Sequence, residues 1–279
     1  MTNFLAAVVL LLLISIVSSK AETAVLFGAS GAVGSEVLKS LLSDSSHFDE
    51  VIAIGRRSYA KVDAILSQKK AAGAPKVTTV TLADLHSIAS YDKIEKADAC
   101  FVAVGIGDVN DVTLQYWHSI EVELIASITQ FCNKIHVRSL TLLSAVDTEN
   151  ESAVPFSEEE INADNQQPLG WMKAMYLYYR VMGLKEKAVM TNAKNIAHIR
   201  LFQPSTILTQ EYRYGWVDRI LFPIHKVIDS YIPTKYNRYH SVDVRLLGKA
   251  MVADAEQVLQ SSDQQSTSEK KDIAKLTYA

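Results

Sequence analysis

The chain has 279 residues, long enough to bury a core without disulfide or metal staples. Its 48% hydrophobic and 21% charged residues exclude wholesale disorder and collagen-like classes. With 28 basic and 31 acidic side chains the net charge is −3 and no basic run stands out, which argues against a nucleic-acid partner.

Residues 4–17 read FLAAVVLLLLISIV, a 14-residue apolar run with no charge. It is short for a spanning helix, which needs about 20 apolar residues, and matches the apolar core of a secretory signal. Small residues at Ser19 and Ala21 suit cleavage, but no Lys or Arg precedes the run. Residues 1–21 therefore read as a targeting segment. One outcome is an uncleaved anchor, with the chain on the endoplasmic reticulum or the mitochondrial outer membrane. The other is the secretory pathway after cleavage.

Residues 23–28 then form an apolar strand that ends in a glycine turn. Val33, Val37 and Leu41 mark one face of a helix over 32–42. Further strands are expected at 51–54, 77–81, 99–104, 139–143 and 197–202. Helices are expected at 61–72 and, as one long element, at 112–132. Alternating strands and helices, with strands apolar throughout, indicate a doubly wound parallel α/β sheet, the Rossmann class. It would be a single domain over 22–260, with substrate-side insertions from about 145 to 240 above the strand ends. Residues 147–169 read as a polar loop, Glu158, Glu159 and Glu160 as a solvated acidic run, and 261–279 as a polar tail.

Gly28-Ala-Ser-Gly-Ala-Val-Gly34 follows the first strand and opens the first helix. That context suits a phosphate-binding loop. Gly28 permits the turn, Gly31 lets backbone approach a pyrophosphate, and Gly34 lets the helix pack close to the sheet. Ser30, Ala32 and Val33 complete the loop, whose helix N-terminus offers N–H groups and partial positive charge. The plain alternative is a glycine turn before a helix. Strand two ends Ile54-Gly55-Arg56-Arg57, with no acid between Val51 and Lys61. An NAD site wants a carboxylate for the ribose hydroxyl there. Two guanidiniums suit a 2′-phosphate instead, so the expected cofactor is NADP(H); a solvated basic turn is the alternative. Asp84, after strand three, is either a partner for the adenine amino group or a helix cap. Gly105 ends strand four at the same edge of the sheet.

GASGAVG, IGRR and the strand-five end LLSA together resemble the atypical short-chain dehydrogenase/reductases, in particular the HIV Tat-interacting oxidoreductase subgroup. The resemblance covers roughly residues 23–260 and recurs at Phe202-Gln203-Pro204 and over 240–252, which look like that group's closing helix. It implies a Rossmann fold, bound NADP(H) and reductase activity on a small carbonyl or alcohol. Such reductases pair a tyrosine with a lysine four residues on, on one helix face. The lysine binds the nicotinamide ribose and lowers the tyrosine pKa. Aligned on Val-Lys-Gly, the tyrosine is Tyr178, but the lysine position holds Met182. A second register pairs Tyr176 with Arg180. Ser144 is the one hydroxyl left after strand five, beside Ala145, and Gln203 stands where an arginine is usual.

Two functions follow. One is an NADP(H)-dependent reductase with Tyr178 as proton donor and Ser144 as oxyanion partner. The other is a non-enzymatic NADP(H)-binding sensor or scaffold with a protein partner, which kept the loop and lost the lysine. No metal site is expected: the seven histidines show no i, i+4 pairing, and two cysteines cannot make a four-ligand site.

Overall fold

Alternate residues of β1 (Glu22–Phe27) go to opposite sides of the sheet. Ala24 and Leu26 enter one core with Val37, Leu38, Leu247 and Met251. Val25 and Phe27 enter another with Ile125, Ile128 and Phe131. A strand buried on both faces belongs inside a parallel sheet, and β1 lies near the middle of one. This computed structural model describes residues 21–58, 60–68, 74–148, 153–163, 168–209, 227, 229–264 and 272–277.

The remaining strands of that sheet are β2 (Phe48–Gly55), β3 (Lys76–Thr81), β4 (Ala99–Val102), β5 (Ser139–Leu143), β6 (His198–Phe202) and β9 (Asp272–Leu276). Their order is β3-β2-β1-β4-β5-β6-β9, and every neighbouring pair is parallel. Strand order reverses at β1, which leaves a crevice above the C-terminal ends of β1, β2 and β4. A separate parallel pair joins β7 (Ile207–Leu208) to β8 (Val242–Asp243).

Helices α1 (Ala32–Leu41), α2 (Ala60–Gln68) and α7 (Val244–Gln264) cover one face. On the other lie α4 (Leu124–Lys134) and the C-terminal end of α6 (Gly170–Asn192). A third apolar cluster joins α3 (Leu114–His118) to the N-terminal half of α6 through Leu114, Trp117, Phe156, Leu177 and Met182. It also takes in Ala145, just past β5. Most of this cluster lies after β5, within the 145–240 stretch that the sequence assigns to insertions.

Three expectations are corrected. The single helix expected over 112–132 is α3, a π-helical turn at Ser119–Glu123, then α4. The turn carries Glu121 into the interior, where its side chain is buried. The loop expected over 147–169 contains a short helix, α5 (Glu158–Ala163). Glu160 in it is not merely solvated: Arg180 Nη1 donates to its Oε1 at 2.8 Å.

The third correction concerns the tail. Residues 272–276 form β9, the edge strand beside β6, so the sheet does not end near residue 260. Arg200, buried on β6, lies 2.6 Å from Asp272 and 3.2 Å from Asp254. Without those carboxylates a cation would be buried unpaired, which is costly. The Arg200 hydrogen bond holds the Asp272 carboxyl below its ordinary range. Burial instead raises that of Asp254, despite the same arginine. Residues 1–20, which carry the apolar segment, lie outside the described residues. Among the described residues no helix is long and apolar enough to cross a membrane.

Candidate functional site

The crevice begins at the turn after β1. Gly28 has φ +88°, a conformation that L side chains rarely adopt, and a β-carbon there would stand 2.5 Å from the Ala103 carbonyl oxygen. The turn closes by a hydrogen bond from the Gly31 N–H to the Gly28 oxygen at 2.9 Å. Gly31 then caps α1 with extended backbone, φ −72° and ψ 170°. Gly34 is needed for a reason the sequence does not give. Its β-carbon would fall 2.0 Å from the Gly28 oxygen, so the glycine accommodates the folded-back loop rather than the sheet.

Gly28, Ala29, Ser30 and Gly31 line one side of a groove. Ala53, Ile54, Gly55, Arg56, Arg57, Thr79 and Thr81 line the side toward β2 and β3, and Val104 and Gly105 the side toward β4. Ala32 and Val33 take no part in the lining; their side chains are buried as α1 enters the core. The first four N–H groups of a helix have no partner within it, so an anion at the mouth of α1 finds donors and a favourable dipole.

Arg56 and Arg57 are exposed on the groove rim. They share it with a carboxylate the sequence reading missed. Asp63, in the first turn of α2, also lines the groove and accepts from Ser58 Oγ at 3.2 Å. Only the placement of α2 against the end of β2 reveals it. Asp84 is a cap: its carboxylate accepts from the His86 N–H at 2.9 Å, which holds it below the ordinary range. Leu85, not Asp84, lines the groove.

The other end of the crevice is differently built. Tyr178 packs in the third cluster, with ring centroids 6.3 Å from Trp117 and 5.6 Å from Tyr179. Met182, in the lysine's position, is buried in the same apolar cluster. Ser144 Oγ donates its only proton to Glu186 Oε1 at 2.5 Å. The expected oxyanion partner therefore has no proton left for a substrate oxygen. Glu186 Oε1 also accepts from Gln203 Nε2 at 2.7 Å, and Lys275 of β9 lies 3.6 Å from its other oxygen.

The Tyr176–Arg180 register is not assembled. Tyr176 is 84% exposed. Arg180 is committed to Glu160 and to the Val154 and Pro155 carbonyl oxygens, and its guanidinium lies 3.9 Å above the Phe156 ring. That pairing holds the Glu160 carboxyl down at about 2. The sequence reading also missed Lys185. One turn beyond Met182, its ammonium lies 2.8 Å from Glu121 Oε2 and donates to the Val104 oxygen at 3.1 Å.

The residues present fit a bound dinucleotide. A tight glycine turn at a helix mouth suits a pyrophosphate, and guanidiniums at the end of β2 suit a 2′-phosphate. The comparisons agree on the fold. A short-chain dehydrogenase/reductase from Burkholderia thailandensis superposes with TM-score 0.57 at 11% identity, over 92% of each chain. A 3-oxoacyl-(acyl-carrier-protein) reductase from Agrobacterium tumefaciens C58 with NADP bound gives 0.56 at 13%, over 92% of this chain and 93% of that one. A UDP-glucuronic acid 4-epimerase from Bacillus cereus in complex with NAD gives 0.56 at 14%, over 92% of this chain and 77% of the other. No curated protein matches the chain. The NAD(P)H-binding family model matches residues 28–190, more than half the chain, and this protein belongs to that family.

Proposed function

We propose that this protein binds NADP(H) as its ligand and holds it without efficient turnover, as a sensor of the dinucleotide or a scaffold for a protein partner. The observation that carries the ligand is the groove of Gly28–Gly31 backbone that runs to two guanidiniums at the end of β2. Gly28–Gly31 would hold the pyrophosphate and Arg56 and Arg57 the 2′-phosphate. Asp63 beside them is the carboxylate an NAD reading would use, but Ser58 already occupies one of its oxygens.

The lack of turnover is inferred from the other half of the site. When bound, a nicotinamide would supply a hydride. A carbonyl would also need a proton and a stabilised oxygen. Ser144 gives its proton to Glu186, Met182 has no charge, and the Lys185 ammonium is paired with Glu121. The second reading, a reductase of a small carbonyl with Tyr178 as donor, rests on the placement of Tyr178 and Lys185. They are seven residues apart, on one helix face.

Calorimetric titration at fixed salt tests the ligand. Wild type should bind NADPH more tightly than NADH by about tenfold to a hundredfold, since charge-assisted bonds contribute about 1.5–3 kcal/mol. Arg56→Ala or Arg57→Ala should weaken NADPH by that factor and leave NADH nearly unchanged. A wild type that prefers NADH would overturn the reading.

We infer kinship to the Tat-interacting oxidoreductase subgroup from the glycine loop, Ile54-Gly55-Arg56-Arg57 and Phe202-Gln203-Pro204. Residues 1–21 are proposed to direct the chain to a membrane system. Deleting them should give a soluble folded protein, because β1 begins at Glu22. Carbonate extraction with N-terminal sequencing separates an anchor from a cleaved signal, and full-length protein free in the cytosol would contradict both.

A further inference from the structure

We propose that Cys100 and Cys132, the two cysteines of the chain, are a cross-linking pair that closes into a disulfide when the chain folds beside a small disulfide oxidant. In the sequence they stand 32 positions apart, one on a strand and one on a helix. The fold brings them together. Cys100 of β4 and Cys132 of α4 are both fully buried, in the same core as Ile128 and Phe131.

The two segments are pinned to each other where β4 begins and α4 ends. The Ala97 N–H, just before β4, donates to the Ile135 oxygen, just after α4, at 3.1 Å. Beside it the Arg138 N–H donates to the Asp98 oxygen at 2.9 Å. Cys100 and Cys132 each stand three residues inward from the first of these bonds. There the Cys132 thiol and the Cys100 sulfur share a hydrogen bond. A buried residue touches about 6–12 others, so two positions drawn at random from a chain of 279 seldom meet.

The folded pair is poorly placed to start the reaction. The thiolate is the attacking form; burial, and after it the neighbouring Cys100, push the Cys132 thiol well above its ordinary range. The chemistry therefore belongs to the folding chain, before the core closes. One cysteine thiolate attacks a sulfur of oxidised glutathione and expels a glutathione thiolate. The other attacks the protein sulfur of the mixed disulfide and expels the second. Two S–H bonds are lost and one S–S bond forms. The protein is oxidised by two electrons, glutathione disulfide is reduced by two, and the two protons pass to the released thiolates. The closed loop holds Val104 and Gly105 of the groove and the π-helical turn. Constraining that loop in the unfolded chain favours the fold. An oxidising compartment sets the disulfide and a reducing one the dithiol.

The test unfolds the full reduced chain in urea and refolds it in oxidised and reduced glutathione, or in dithiothreitol alone. A chain that does not recover from urea is synthesised cell-free in the same two buffers. In glutathione the folded product should be a monomer lighter by two hydrogens. It should take up no iodoacetamide after denaturation, and its peptide map should join Cys100 to Cys132. Reduced protein kept folded in the glutathione buffer should retain both thiols. In urea the oxidised form should favour the folded state over the reduced form by about thirtyfold to a thousandfold. Cys132→Ala should show no such gain between the two buffers. Two free thiols, bound glutathione or a linked dimer in a product with native circular dichroism would overturn the proposal. So would an oxidised form no more stable than the reduced one, an equal gain in Cys132→Ala, or oxidation of the folded protein as fast as that of the refolding chain.

Discussion

The two halves of the crevice are made of different material. The half toward β2 is backbone: a glycine turn, a helix mouth and the ends of two strands, with guanidiniums on the rim. The half toward β5 is side chains, and each is already engaged. Ser144 donates to Glu186, Lys185 pairs with Glu121, and Met182 is buried in the apolar cluster that holds Trp117. Binding and chemistry can therefore part company. A backbone cradle survives most side-chain changes outside its glycines. Proton transfer depends on single groups being unengaged and close to the reacting atoms.

The largest break in this contrast comes from the glycines. Gly34→Ala puts a β-carbon 2.0 Å from the Gly28 oxygen. It should lower stability by about 3 kcal/mol in urea unfolding, the upper end for overpacking, and abolish NADPH binding. Gly31→Val should separate the two effects, because Gly31 lines the groove. The variant should keep its circular dichroism and lose NADPH; unchanged affinity would reduce the loop to a turn.

Removing residues 272–279 should have the next effect. It opens the β6 edge and takes Asp272 from the buried Arg200. We expect a loss of about 1.5–3 kcal/mol in urea unfolding, the range for a hydrogen bond to a charged group. Lys275 also leaves Glu186, but adenosine 2′,5′-bisphosphate should bind as before, since β9 does not line the groove. A matching loss of affinity would mean the two halves are coupled through the sheet.

The smallest effect is one of pH, on the third cluster. Arg180 lowers the Glu160 carboxyl from 4.5 to about 2. A carboxylate with a depressed folded pKa stabilises the fold fully above its unfolded value, and that contribution fades as pH falls through the folded one. Docking of α5 should therefore weaken between pH 4.5 and about 2. Pepsin cleavage within 153–163 should rise over that window in the wild type. It should already be high at its upper end in Arg180→Ala.

The same division explains what could be read from the residues alone. Glycines at 28, 31 and 34 announce a backbone shape, because few other residues fit it. The parallel sheet follows from strands apolar on both faces. Glu121 and Lys185 are 64 positions apart in the chain, and no periodicity joins them; only the π-helical turn brings them together. Asp63 joins the groove only once α2 is placed. Strand β9 is hidden by its length and surroundings: Asp272-Ile-Ala-Lys-Leu276 has only five residues, two of them charged, follows a polar stretch, and reads as tail; edge strands are often this short. Asp84 carries two readings in sequence, and the structure shows the cap.

Rapid mixing of NADPH-loaded protein with a panel of small aldehydes and ketones, followed at the NADPH absorbance, tests the separation of binding from chemistry most directly. Tight NADPH binding with slow oxidation is expected, at a rate that Tyr178→Phe leaves unchanged. Rapid oxidation that Tyr178→Phe abolishes would contradict it and establish the tyrosine as a working proton donor.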